Sequence, residues 1–234
     1  DPLRLVGSEM CIRDRNLGGK MSSTILEQAR KAVEGKELSI VFPEGTDKRI
    51  LEAAIRHNEE GLIKPIVLGN KEEIQKAANE NGLSLGDIEI IDPANDSHFD
   101  VFVEKFVELR KGKNTKEDAE KMLQNTNYYG VMMVKTGLAN GMVSGAVGTT
   151  GDTIRPALQL IKTKPGVSRV SGVMIMVGEN GEQYVFSDVA VNITLEAQEM
   201  AEVAVESANT AKLFGIDPKV ALLSFSTKGS AKHE

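Results

Sequence analysis

Apolar residues fall into two rhythms that alternate along this chain. Short unbroken runs at Leu38–Phe42, Pro65–Leu68, Ile88–Ile91, Val173–Val177 and Val220–Phe225 read as buried strands, and Gly141–Ala146 and Tyr184–Ser187 read as two more. Between them the spacing switches to three and four, the period of a helix with one buried face. Ile50, Leu51, Ala54 and Ile55 share such a face behind Asp47, a helix cap, and Gly61 ends the helix. Asn70 caps a helix that ends near Gly82, and Phe99, Val103, Phe106 and Val107 stand at helical spacing. Thr24 with Glu27 and Thr115 with Asp118 mark helix starts of the capping-box kind. Further helices are predicted over Thr24–Val33, Tyr128–Lys135 (closed by Gly137), Asp152–Ile161 and Thr194–Phe214 (ended by Gly215). The Asn180-Gly181 pair predicts a tight hairpin between the runs at 173–177 and 184–187.

Strand-helix alternation over most of the length predicts an α/β protein with a largely parallel sheet. The hairpin breaks that rhythm, so a second region with antiparallel pairing is expected, with the change near residues 143–150. The expected organisation is a leader at 1–20, a first α/β domain at 21–143 and part of a second at 144–234.

The leader, DPLRLVGSEMCIRDRNLGGK, has neither period and no apolar run long enough for a signal peptide. It reads as foreign sequence, a translation or assembly artefact, or else as a disordered extension ahead of Met21. The only cysteine, Cys11, lies in it, so from Met21 onward there is no thiol for a disulfide, a thiolate metal site or a covalent nucleophile. With no export signal, the expected location is the cytoplasm.

The formal charge of −6 and the lack of a basic cluster argue against nucleic acid as a partner. No stretch of 18 apolar residues is present, which argues against a spanning helix. His57, His98 and His233 are scattered, with no pair at a metal-ligand spacing, so no metal site is expected.

An anion site remains compatible with an acidic chain. Arg155 follows the Gly- and Thr-rich stretch Thr149-Thr150-Gly151-Asp152, which opens a helix where free N–H groups and hydroxyls can face an anion. Spacing alone also allows a solvated Arg behind an ordinary Asp152 cap. Arg110 ends a helix, where it could complement the helix dipole or serve a site. Ser144 and Gly145 end a strand, where α/β sheets place ligands, although Gly, Ser and Thr also punctuate ordinary turns. Pro43-Glu44-Gly45-Thr46-Asp47 reads first as a strand–turn–helix joint and second as a lining for a cleft. Ser226-Thr227-Lys228-Gly229-Ser230 is loop-like but lacks the spacing of an ATP-binding P-loop.

Five stretches resemble the phosphate acetyltransferase and butyryltransferase family, in the family's order: SIVFPEGTDKRILEAA (39–54), VMMVKTGLANGMVSGA (131–146), TTGDTIRPALQLI (149–161), YVFSDVAVN (184–192) and VALLSFSTKGSAK (220–232). The resemblance implies a two-domain, three-layer α/β/α subunit with mostly parallel sheets, an architecture shared at fold level with isocitrate and isopropylmalate dehydrogenases. It implies a cleft site, a homodimer, and direct acyl transfer between acetyl-CoA and phosphate. Coenzyme A is then a substrate, and no other cofactor is implied.

On this resemblance Arg155 and Arg110 are catalytic, and Thr150, Thr149, Ser144 and Gly145 bind substrate. Family members of the short type continue past Glu234 with a Ser-Arg pair and an Asp that act on the coenzyme A thiol and the acyl group. The chain therefore reads as C-terminally truncated. Butyryl transfer by the same mechanism, and an inactive fragment of such an enzyme, are the alternatives. A decarboxylating dehydrogenase would need a dinucleotide fingerprint, and no Gly-x-Gly-x-x-Gly run is present.

Overall fold

The structure is a computed structural model that describes residues 23–189, 191–192, 194–224, 226 and 228–230. The leader at 1–20 with Cys11, Met21, the Thr24 side chain of the first capping box, Phe225 and Thr227 of the last motif, and His233 lie outside the described residues. Two compact units emerge: residues 32–163, and the described residues on either side, 23–31 and 164–230. The division falls after the helix that carries Arg155, whereas the sequence reading placed the change at the Gly-rich loop before it.

The first unit holds α1 (Ser23–Val33) only at its end. Its sheet and helices run β1 (Ser39–Phe42), α2 (Lys48–Glu59), β2 (Lys64–Leu68), α3 (Lys71–Glu80), β3 (Glu89–Ile91), α4 (Phe99–Arg110), α5 (Lys116–Leu123), α6 (Thr126–Thr136), β4 (Gly141–Met142) and α7 (Thr150–Leu160). The four strands pair in the order β3-β2-β1-β4, all parallel. Side chains alternate between the faces of the sheet. Phe42 and Val67 pack with Ile50, Leu51, Ala54, Ile74 and Ala78 on one face. Val41, Ile66 and Leu68 pack with Phe102, Phe106, Leu123, Tyr129, Met132 and Leu160 on the other. Helices on both faces of a parallel sheet make this unit α/β, as expected.

Caps explain where the helices begin. The Asp47 side chain accepts from Arg49 N, and Asn70 accepts from Glu73 N. Thr115 and Asp118 form the expected reciprocal box. Gly137 takes the left-handed conformation, with φ of 82°, at the end of α6.

The other unit contains β5 (Val173–Val177), β6 (Gln183–Ser187) and α8 (Ala197–Leu213). The strands pair antiparallel, with Val173 opposite Ser187 and Val177 opposite Gln183. The Gly178 N–H donates to Glu182 O at 2.7 Å to close the expected Asn-Gly hairpin. Along α8 a stripe of acids at Glu199, Glu202 and Glu206 receives Arg169, Ser168 and Lys164 in turn. Their helical spacing lets one strip of chain run along one helix face.

Three elements differ from expectation. The strand predicted at Val220–Phe225 does not form over 220–224. An apolar run becomes a strand only with a ladder partner, and Leu222 and Leu223 stand 65% and 87% exposed without one among the described residues. The strand predicted to reach Ala146 stops at Met142, because the amides from Gly145 onward turn to a side chain instead of a neighbouring strand. The helix predicted from an Asp152 cap begins at Thr150, with Thr149 as its cap and Asp152 as the third helical residue. Thr-x-x-Asp is a capping box, and it outranks a lone Asp cap.

Candidate functional site

In a doubly wound sheet, ligands collect outside the carboxyl ends of the strands where the winding reverses. Here the order β3-β2-β1-β4 reverses between β1 and β4. The two loops that leave those ends are 43–47 and 143–149, and both belong to the first unit.

Gly45 sets how closely the first loop approaches the sheet. A β-carbon there would meet Leu68 O at 2.5 Å and Val67 Cγ1 at 2.6 Å, so only glycine fits. This places Glu44 beside the second loop. Its carboxylate accepts four consecutive backbone N–H groups: Gly145 and Ala146 at 3.0 and 2.8 Å on Oε2, and Val147 and Gly148 at 2.8 and 2.9 Å on Oε1. Partial burial pushes the Glu44 pKa up, but the four amides outweigh it and hold the group below the ordinary glutamate range. Arg49 holds the same loop from its carbonyl side, donating from Nη2 to Ala146 O at 2.6 Å. Asp47 orients that guanidinium through Nε and Nη2, both at 3.0 Å.

The polar candidates in the second loop divide by what their hydroxyls already do. Ser144 Oγ donates to Oδ1 of the buried Asn127 at 2.6 Å. Thr149 Oγ1 donates to Asp152 Oδ2 at 2.7 Å and accepts from Asp152 N at 3.2 Å, so its hydroxyl is spent on the cap. The Thr150 hydroxyl makes no hydrogen bond among the described residues. The backbone N–H groups of Thr150 and Gly151, first in α7, take no acceptor among the described residues either, as helix starts leave them. Gly145, with φ of 109°, gives the loop its bend and its N–H to Glu44.

Arg155 folds back toward this helix start. A β-carbon on Gly151 would meet its Nη2 at 3.5 Å. Arg110, at the end of α4, donates from Nε to Asn114 Oδ1 at 2.8 Å. Neither arginine has an ion-pair partner among the described residues. Both lie close enough to Tyr128, on α6, to act on its phenol. Burial raises the Tyr128 pKa, and the charges of Arg155 and Arg110 pull against it, leaving the group above the ordinary tyrosine range. The Tyr128 hydroxyl donates to Gln159 Oε1 at 3.0 Å, which ties α6 to α7. Three helices thus bring the charges of two arginines to bear on one phenol, and Arg155 also acts on the Asp152 carboxylate of its own helix.

The charges of Arg110 and Arg155 both reach Tyr128, and Thr149, Thr150, Ser144 and Gly145 lie on one loop and helix start. Sequence reasoning missed Tyr128, which periodicity marks only as helical. It also ranked Glu44 within an ordinary strand–turn–helix joint and did not single out Arg49. For Glu44 and Arg49 the one signal available was that 39–54 stands among the family-like stretches; Tyr128 lies in none of them.

Residues 21–234 match the family described as Phosphate acetyl/butaryl transferase. The chain belongs to this family. It is 54% identical over 210 residues to the phosphate acetyltransferase of Staphylococcus epidermidis (strain ATCC 12228 / FDA PCI 1200), covering 90% of this chain and 64% of that protein. It is also 54% identical to the phosphate acetyltransferase of Bacillus subtilis (strain 168), covering 90% of this chain and 65% of that protein. The crystal structure of a phosphotransacetylase from Streptococcus pyogenes matches at a TM-score of 0.83 and 55% identity, over 92% of this chain and 65% of that one. The chain thus spans less than two thirds of the length of these relatives.

Proposed function

We propose that the chain carries the phosphate-holding part of an acyltransferase that interconverts acetyl-CoA plus phosphate with acetyl phosphate plus coenzyme A. The observation that carries this reading is that the charges of Arg110 and Arg155 both act on Tyr128, with no ion pair to either arginine among the described residues, in a chain of net charge −6. Guanidinium groups outside any ion pair favour a bound anion, and their fork matches phosphate oxygens. Arg155, the Thr150 hydroxyl and the N–H groups of Thr150 and Gly151 hold phosphate at the helix start. Arg110 adds its charge beside Tyr128, whose proton stays in place for hydrogen bonding.

A phosphate oxygen held there attacks the thioester carbonyl carbon. The C–S bond breaks, and coenzyme A leaves as a thiolate that takes up a proton. Both substrates bind together, so no covalent protein intermediate forms. Binding two reactants in one orientation and gathering the developing charge are the main sources of rate. Coenzyme A is a substrate in this scheme, and no metal is assigned a step. The Ser-Arg pair and Asp of the family's continuation complete the thiol side. Acetyl is favoured over butyryl because the relatives named above are phosphate acetyltransferases.

A homodimer in the cytoplasm completes the proposal. Among the described residues no helix is long and apolar enough to cross a membrane.

The test is thiol release from acetyl-CoA with and without phosphate. It compares the 234-residue chain with residues 21–234 joined to the part of the Bacillus subtilis relative that they do not match. The joined chain should release thiol only with phosphate, and the shorter chain should release little. Release indifferent to phosphate would reject the reading.

A further inference from the structure

Four consecutive amides, Gly145 to Gly148, point at one carboxylate, that of Glu44. Successive N–H groups aimed inward form an anion nest, the kind of concavity that binds phosphate in other proteins. Here an internal side chain fills it. A carboxylate offers about four lone-pair positions on its two oxygens, and each oxygen takes two of these amides. Arg49 grips the intervening Ala146 carbonyl from the opposite side. The loop is therefore held by both its donors and one of its acceptors. The gripping groups, Glu44 in the turn after β1 and Arg49 in the first turn of α2, have no part in the proposed chemistry. Immediately downstream the chain forms the Thr149 cap, the unpartnered amides of Thr150 and Gly151, and the helix of Arg155.

We propose that Glu44 is a positioning residue for the anion site. By filling the nest it fixes loop 145–148, and so it sets where the start of α7 presents its amides and Arg155. This rests on the reading above that phosphate binds at that helix start. The sign of the effect separates positioning from mere proximity. A carboxylate close to an anion repels it, so as a bystander charge its removal would tighten phosphate binding. As the residue that shapes the loop, its removal weakens phosphate binding.

The experiment uses the full chain and inorganic phosphate, comparing the parent, Glu44→Gln and the control Ala78→Gly. Gln keeps the size but offers one acceptor oxygen, and its NH2 group meets two of the four amides donor to donor. Ala78 is buried on α3 in the core on which Ala146 rests, so Ala78→Gly lowers stability while leaving the loop's hydrogen bonds to Glu44 and Arg49 in place. Amide exchange at 145–148 and phosphate affinity by calorimetry are read for each, with thermal unfolding as the measure of stability. In Glu44→Gln, exchange at these amides should speed up and phosphate affinity fall by about tenfold, the weight of a lost charge-assisted contact. In Ala78→Gly, a fall in unfolding temperature should leave both unchanged. Unchanged or tighter phosphate binding in Glu44→Gln overturns the positioning role, and so do amides that stay protected. An equal loss of affinity in Ala78→Gly overturns it too, because stability alone would then explain the effect. Failure of the parent to bind phosphate would instead reject the anion site itself, and the positioning role with it.

Discussion

Arg110 and Arg155 stand on different helices, yet both bring their charge to the Tyr128 phenol, against the burial that raises its pKa. The phenol thereby reports on both side chains without any ligand. Replacing either arginine with Ala removes a cation that favours the phenolate, so the Tyr128 pKa should move further up. Carbon-13 NMR at the tyrosine ring carbon bearing oxygen, followed through an alkaline titration, measures it. No shift in either variant would mean that the two guanidinium groups do not share this neighbourhood.

Gly45 follows Glu44 in the turn after β1 and sits against Leu68 O, Val67 and Ile74. The nearest contact is a backbone oxygen, which cannot swing away as the end of a side chain could. Gly45→Ala should cost about 1–3 kcal/mol, the usual penalty for overpacking a fitted site. Urea unfolding reads this, and an unchanged midpoint would contradict the close approach.

The start of α7 depends on the Thr149–Asp152 box. The Thr149 hydroxyl, and then its N–H, holds the Asp152 carboxyl below the ordinary aspartate range; burial opposes this and Arg155 assists. A carboxylate with a depressed folded-state pKa contributes stability above its unfolded pKa and loses it as pH falls through the folded value. The first turn of α7 should therefore hold its amide signals through neutral pH and fray only below about pH 4. Thr149→Ala should weaken the helix start by about 1 kcal/mol at neutral pH. Proton-exchange NMR at Asp152 and Thr153 follows both, and identical behaviour of the variant and its parent would refute the cap's role.

Much of this fold was legible because its determinants are local. The apolar runs at Leu38–Phe42 and Pro65–Leu68, which form β1 (Ser39–Phe42) and β2 (Lys64–Leu68), put apolar residues on both faces, as a buried parallel strand must. Asp47, Asn70 and the Thr115–Asp118 pair announced helix starts through residue type alone. Thr149–Asp152 has the same spacing, but Asp152 taken alone pointed to a start a turn too late. The run at 220–224 misled because a strand needs a partner, which lies outside local sequence. Arg110 and Arg155 were legible as candidates by resemblance. Their meeting point was not, since Tyr128 has an ordinary place in a helical pattern and only packing brings α4 and α7 to it. Glu44 stayed hidden for a related reason: backbone amides carry no residue signature, so four of them converging across the sheet leave no trace in composition.

The account turns on phosphate held between Arg110 and Arg155. The most direct measurement is calorimetric titration of inorganic phosphate into the full chain and its Arg110→Ala, Arg155→Ala and double variants. Each single change should lower affinity by about tenfold or more, the weight of one charge-assisted hydrogen bond, with the double variant losing less than the sum of the two in free energy because the pair shares one anion. Phosphate binding that is undiminished in Arg155→Ala would contradict it.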